Sequence, residues 1–415
     1  MPIKRVIIKN GALEQLPELL KGLGITTKVL LVADENTYRA AGEVVARLLN
    51  GSGFTVRECI LRRCNRVIAD ERALVETLIN VESDTKLLIA VGSGTLNDIT
   101  RYISYKTGKP YAVVATAPSM DGYASSVAAL TINGCKRTYE ATSPMAIIGD
   151  VDILASAPLE MIQAGLGDIL GKYTSLADWQ LGRFINGESY AVEVERKVRS
   201  AVDECVRLAG SNLDSQAIKS LMEALVTSGV AMLEWGSSRP ASGSEHHISH
   251  FLEMHDTLTG NEGHLHGAKV GIAEIYTTSL YHRVFSLSLD EVKRMMDHRQ
   301  PETVAAYEQR VRKAYGPLAE EVMQELKGFY LDEQRRAERQ KNILKHWENL
   351  QAWVKAYVPS PEYIKELLLK TGAPTSFTAL GIPETLVRQA LHNAKEVRQR
   401  YTIFRLMEDI GMVVK

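Results

Sequence analysis

Residues 86–98 read KLLIAVGSGTLND, and this stretch decides how the rest of the chain is read. Its first part, Lys86–Val91, is a short unbroken apolar run, the pattern of a strand buried on both faces. Its second part sets Gly92 and Gly94 directly after that strand and a helix directly after the glycines. Glycines in such a turn let backbone N–H groups come close to a phosphate, and the helix N-terminus beyond them favours the anion. Glycine-rich turns after strands also arise for steric reasons alone. The place of this one, between an apolar strand and a helix, makes it a candidate nucleotide loop. It is not a Gly-x-Gly-x-x-Gly motif and it comes after the third strand rather than the first, so the ordinary Rossmann pattern does not transfer unaltered.

Upstream, Lys28–Val32 reads as a buried strand, Asn36–Leu49 as a helix with apolar positions at a period of 3.6, and Phe54–Leu61 as a second strand after the break at Gly51-Ser52-Gly53. Asp70–Val81 reads as a helix, and downstream Tyr111–Ala115 as a fourth strand. Strand and helix alternating at this spacing imply a parallel sheet of βαβ units, which binds ligands at the carboxyl ends of its strands. The loop after Tyr111–Ala115, TAPSMDGYAS (116–125), lies at that same edge. It is rich in hydroxyls and holds one acid, Asp121, between Pro118 and Gly122. Pro, Gly and Asp are turn formers in their own right, but two consecutive loops of this kind at one sheet edge favour a site. Thr131–Tyr139, with Asn133-Gly134 at its centre, reads as a hairpin.

After Asp150 the pattern changes. Ala157-Pro158-Leu159-Glu160 opens a helix with Pro near its first turn, and the remainder reads almost wholly helical. The expected division is an α/β domain over 1–160 and an all-α domain over 161–415. Within AGLGDILGK (164–172) three glycines surround one acid, Asp168. Each glycine inside a helix costs about 1 kcal/mol against alanine, so they are expected to permit a close approach of Asp168 to the ligand loops. Further on, six of the ten histidines fall in SSRPASGSEHHISHFLEMHDTLTGNEGHLHGAKVG (237–271), with Glu245, Glu253, Asp256 and Glu262 among them. His246 and His250 stand four apart and share one face of a helix; Gly267 comes directly after His266. A single histidine on a polar surface is ordinarily just solvated. This clustering points to a divalent metal instead, because neutral imidazole is its commonest protein ligand. An Asp–His–His set drawn from Asp168 and this stretch would leave coordination positions open to substrate.

With 49 basic and 50 acidic residues the net charge is −1, which argues against binding to nucleic acid or an anionic membrane surface. Cys59, Cys64, Cys135 and Cys205 show no Cys-x-x-Cys pairing, so neither a disulfide framework nor a zinc knuckle is expected, and a reducing, cytoplasmic setting fits. No apolar run reaches the length of a membrane span, and the N-terminus has no signal-peptide core. Residues 300–357 alternate acids and bases with apolar positions at intervals, as a solvated amphipathic helix pair does.

Five blocks in order, GSGTLND, TAPSMDGYASS, GLGDILGK, SGSEHHISH and HLHGAKVG, resemble the glycerol-1-phosphate dehydrogenase branch of the iron-alcohol-dehydrogenase, glycerol-dehydrogenase and dehydroquinate-synthase superfamily. The resemblance runs from about residue 25 to the end. It implies a dehydroquinate-synthase-like fold, with an α/β nucleotide-binding domain ahead of a helical metal- and substrate-binding domain. By motif, Asp168, His246 and His266 would ligate a divalent metal (zinc, nickel or iron). His247 is the alternative to His246, and His264 stands second to His266. Gly94, Thr95, Leu96, Asn97, Asp98, Thr116, Ala117, Pro118, Ser119 and Ser125 would contact NAD(P). Asp121, Asp168 and His250 would face the substrate, Asp121 and His250 with catalytic roles. The implied reaction is reversible NAD(P)H reduction of dihydroxyacetone phosphate to sn-glycerol 1-phosphate, by a homodimer or larger homo-oligomer. The alternatives on the same fold are a dehydrogenase for glycerol or another small alcohol and a dehydroquinate-synthase-like lyase.

Overall fold

Short aliphatic runs set the strands. In the computed structural model, which describes residues 3–132, 135–209, 213–261, 263–327 and 333–413, eight strands form: β1 (Arg5–Lys9), β2 (Lys28–Asp34), β3 (Thr55–Leu61), β4 (Leu87–Gly92), β5 (Tyr111–Ala115), β6 (Val127–Ile132), β7 (Cys135–Glu140) and β8 (Ala146–Asp150). Six make one sheet in the order β1-β8-β5-β4-β2-β3, every pairing parallel, and β6 with β7 makes an antiparallel ribbon. Every residue of β4, β5 and β8 is buried, and β4 and β5 accordingly read as continuous apolar runs, whereas the edge strand β1 keeps its Arg5, Val6 and Lys9 exposed. The chain leaves β2 for β3 on one side and returns through β4 on the other. The strand order therefore reverses beside β4, the position where open parallel sheets bind ligands. Gly92 of β4 pairs with Ala115 of β5, so the two ligand-loop candidates emerge side by side.

The four strands expected from the sequence are present, and β1 and β8 join them. The helix expected over Asn36–Leu49 is interrupted: Asp34 caps a first turn at Glu35–Thr37, residues Tyr38–Gly42 form a wider π-type turn, and Glu43–Gly51 completes it. Asp70 caps the helix Glu71–Leu78, its carboxylate accepting from the Ala73 N–H. The expected hairpin is the β6–β7 ribbon; its turn at Asn133-Gly134 lies outside the described residues, as does Glu262.

Six helices carry or brace the residues expected to bind ligands: α1 (Gly94–Thr107), α2 (Leu159–Leu170), α3 (Lys172–Asn186), α4 (Ser215–Trp235), α5 (Ser244–Thr259) and α6 (His266–Phe285). By packing, the chain forms two compact units, one of residues 1–169 and 200–236, the other of 170–199 and 237–415. Residues 200–236 fold with the sheet because α4 lies directly on the turn at Gly122–Ala124. There a Cβ on Gly229 would fall 2.6 Å from the Asp121 carbonyl oxygen. The first unit has its core on the sheet (Val29, Leu31, Ile89, Val91, Val114, Ile148). The second has a helical core around Tyr281, Phe285, Trp347 and Leu350. The charged stretch supplies part of it: the helix Glu333–Tyr357 buries Ile343, Trp347, Leu350 and Val354 at helical spacing. Among the described residues no helix is long and apolar enough to cross a membrane.

Candidate active site

In the sheet unit, β4 ends at Gly92 and α1 begins at Gly94 with no side chain capping its N-terminus, so the amides of the first turn are left for an external acceptor. A Cβ at Gly92 would lie 2.7 Å from the Leu96 side chain, so only glycine permits this tight entry. Of the predicted nucleotide contacts, Leu96 and Asn97 are buried; Asn97 donates to the Tyr123 carbonyl at 3.5 Å and Asp98 pairs with Arg101 at 3.5 Å. These three brace the loop, and what the first turn of α1 can offer a ligand is chiefly backbone. The neighbouring loop is tied in by the Thr116 N–H, which donates to the Gly92 carbonyl at 3.3 Å. Thr116 and Ser119 are nearly buried, and Ser125 is folded into a local turn, its hydroxyl donating to the Val127 carbonyl at 3.1 Å.

The glycines around Asp168 have a visible purpose. A Cβ at Gly165 would sit 1.7 Å from the Pro118 carbonyl oxygen, so α2 presses backbone to backbone against the 116–120 loop. Asp168, fully buried one turn on, accepts from the Asp121 N–H at 2.9 Å, and the Asp121 carboxylate accepts from Ser228 at 2.9 Å. Nothing in the local sequence singles out Arg101. Its buried guanidinium donates to the carbonyls of Gly122, Tyr123 and Val127 and to the Tyr111 hydroxyl, and so fixes the far end of the same loop.

In the helical unit the histidines are brought together. His246 and His250 are on α5 and His266 opens α6; the ring centroids of His246 and His266 are 5.1 Å apart, and His250 stacks on His266 at 5.3 Å. His246 Nδ1 faces Glu245 Oε1 at 2.7 Å and His266 Nδ1 faces Glu253 Oε1 at 2.8 Å. A carboxylate behind Nδ1 fixes the tautomer and the ring orientation, as ligating histidines are ordinarily held. This pair therefore fits a divalent cation. Side-chain exposures of 24% for His250 and 28% for His266 show that this end of the cluster opens to solvent. His250 Nδ1 also reaches Glu253, at 3.4 Å, and burial, the largest cause, holds its imidazole below the ordinary value, hence neutral. His247 differs from His246: it is fully buried, neither ring nitrogen has a hydrogen-bond partner among the described residues, and burial drives its pKa well below 6.5.

Behind the histidines lies a polar layer that the sequence did not announce. Glu245 accepts from the Gly243 N–H at 2.7 Å and from Thr174 of α3 at 2.9 Å; the same Thr174 hydroxyl lies 2.5 Å from Glu274 of α6. One hydroxyl proton cannot serve two carboxylates, so one of the acids carries its own proton. Burial and the nearby charge of Glu245 push Glu274 well above its ordinary range, which makes Glu274 the neutral member and Glu245 the carboxylate that faces His246. Asp178, pushed up to about 6 mainly by burial, accepts from the N–H groups of Ser244 and Ile403 and from the Tyr281 hydroxyl, and so anchors the start of α5.

The family model described as iron-containing alcohol dehydrogenase matches residues 7–158. Among solved structures, a glycerol dehydrogenase from Schizosaccharomyces pombe is 17% identical, covers 90% of this chain and 94% of its own, and superimposes with a TM-score of 0.56. An iron-containing alcohol dehydrogenase from Corynebacterium glutamicum is 16% identical over 98% and 94%, with a TM-score of 0.58. The fold is that of the iron-containing alcohol dehydrogenases, a dehydroquinate-synthase-like α/β region and then helices. Curated relatives are nearer in sequence. The glycerol-1-phosphate dehydrogenase of Bacillus licheniformis, named as an NAD(P)+ enzyme, is 35% identical over 100% of this chain and 90% of that protein. The Bacillus subtilis enzyme of the same name is 32% identical over 99% and 92%. The chain belongs to the glycerol-1-phosphate dehydrogenase family, and with it to the dehydrogenases.

Proposed function

We propose that this chain catalyses the reversible, NAD(P)H-dependent reduction of dihydroxyacetone phosphate to sn-glycerol 1-phosphate, a step in glycerophospholipid metabolism. The observation that carries the reading is the pair His246 and His266, their rings 5.1 Å apart and each with Nδ1 against a carboxylate, the way ligating histidines are ordinarily held. By the family resemblance Asp168 would join these two as ligand, for zinc, nickel or iron, since Asp–His–His ligation does not select among them. When bound, the metal supplies Lewis acidity at the C2 oxygen and the nicotinamide supplies or accepts the hydride. The protein's part is positional: the first-turn amides of α1 with Thr116 to Ser119 and Ser125 hold the nucleotide, and Asp121 orients the substrate hydroxyls. His250, a neutral imidazole at the exposed end of the cluster, passes the alcohol proton between substrate and water. The three described thiols that are free, Cys59, Cys64 and Cys205, suit a cytoplasmic enzyme, and a homodimer or larger homo-oligomer is the assembly the family resemblance implies.

The test is NADH and NADPH consumption with dihydroxyacetone phosphate, using protein as purified, then chelated, then resupplied with Zn, Ni or Fe. Turnover lost on chelation and restored by one metal is the expected result, with chiral analysis of the product identifying the 1-phosphate. No turnover with any metal would remove the substrate assignment.

A further inference from the structure

A phosphorylated substrate needs a cation, and the sequence motifs do not name one. The segment after residue 396 does. The turn Ala394–Glu396 packs against α5, the helix of His246 and His250. Most charged groups around it are spoken for. Lys395 pairs with Glu408 at 3.5 Å, Glu396 with Arg405 at 2.5 Å and with Arg310 at 2.7 Å, and Arg400 donates to the carbonyls of Ser175 and Arg239, each at 2.8 Å. Arg398 is the exception. Among the described residues no carboxylate comes within 4.0 Å of its guanidinium, and its one hydrogen bond goes to the Ser238 hydroxyl at 3.3 Å. The hydroxyl of the adjacent residue, Ser237, is buried without a partner among the described residues. Arg398 itself is only partly buried, so its donors remain within reach of a ligand.

A guanidinium partly withdrawn from water without a counter-ion is ready to accept an anion. Its planar fork of donors matches the oxygens of a phosphate better than a lysine does. Arg398 also shares the environment of the histidines. It follows the turn that packs against α5, and Glu253, which faces His266, is among the charges that act on it.

We infer that Arg398, with the hydroxyls of Ser237 and Ser238 beside it, receives the phosphate of the substrate and sets the preference for a phosphorylated three-carbon ketone over the unphosphorylated one. The inference deepens the proposed function and rests on it. The shared chemistry is a phosphate monoester dianion, which a nucleotide 2′-phosphate also presents, and the experiment separates the two.

Metal-loaded, full-length wild type, Arg398→Gln and Arg398→Lys are compared for kcat/KM with dihydroxyacetone phosphate and with dihydroxyacetone, for KM with NADH and NADPH, and for inhibition by inorganic phosphate. The ratio of kcat/KM for the phosphorylated over the plain ketone should fall about 100-fold in Arg398→Gln and about 10-fold in Arg398→Lys, with phosphate inhibition weakening in the same order. If Arg398→Gln does not fold, Arg398→Lys carries the same comparison. Equal losses on both ketones would make Arg398 structural, and a shift confined to NADPH would assign it to the nucleotide; either overturns the inference. A wild-type ratio near one would overturn the substrate reading itself.

Discussion

Adjacent histidines can do unlike jobs. His246 turns one nitrogen to Glu245 and stands beside His266, while His247 is enclosed in the core with both nitrogens unpartnered among the described residues. His246→Ala should therefore lose its metal, whereas His247→Ala should keep it and lose about 1–3 kcal/mol of stability to the cavity. Metal content by mass spectrometry and urea unfolding separate the two, and a His246→Ala protein with full metal content would sink the assignment. Glu253→Ala, which frees Nδ1 of His266, should weaken metal binding about 10–100-fold in a chelator competition. Glu408 offers a test by pH. Burial alone would raise it, but Lys395 at 3.5 Å and Arg405 at 3.0 Å prevail and bring it from 4.5 down to about 2. The folded value lies below the unfolded one, so this stabilisation is complete above pH 4.5 and is lost as the pH falls through 2. It is worth about 3 kcal/mol. Glu408→Gln should be the less stable protein at neutral pH, and the gap should close as the pH falls from 4.5 toward 2; a constant gap in urea unfolding would refute it.

At the level of elements, α2 shows a glycine chosen against helix propensity. Ala for Gly in a helix is ordinarily favourable by about 1 kcal/mol. At Gly165 the new Cβ would meet the Pro118 carbonyl at 1.7 Å, and backbone cannot step aside as a side chain can. Gly165→Ala should cost about 3 kcal/mol and, by displacing the 116–120 loop, weaken NAD(P)H binding; a raised melting temperature with unchanged nucleotide affinity would disprove the packing argument. The same helix shows what the sequence could and could not tell. The glycines around Asp168 and the clustered histidines were legible because their signals are local. So were β2 to β5, as apolar runs. β1 escaped because a five-residue edge strand flanked by Arg5 and Lys9 looks like a charged terminus until β8 pairs with it. The polar layer escaped for a like reason: Asp178 and Ile403 meet from 225 residues apart, and nothing near either one predicts it. Glu245 and Glu253 were visible as residues; Glu245 meets Nδ1 of the next residue within α5, whereas the service of Glu253 to His266 exists only once α5 and α6 are packed.

For the whole molecule, the two cores and the two groups of proposed ligand-binding residues make separable predictions about stability. A ligand that binds only the folded chain adds about 2.7 kcal/mol at a concentration of about 100 times its Kd, and for a unit of some 200 residues that amounts to roughly 5 °C in Tm. The sheet unit carries the first turn of α1 and the 116–125 loop, and the helical unit carries His246 and His266. Chelation should lower the calorimetric transition of the purified protein, metal should restore it, and NADH or NADPH should raise it in its own right. In His266→Ala the response to metal should vanish while the response to nucleotide persists, because the residues that hold the nucleotide are untouched. If the metal response survived that substitution, the ligand would lie elsewhere. If the nucleotide response disappeared with it, His266 would be supporting the folded state as a whole, and the division of labour between histidines and loops would fail.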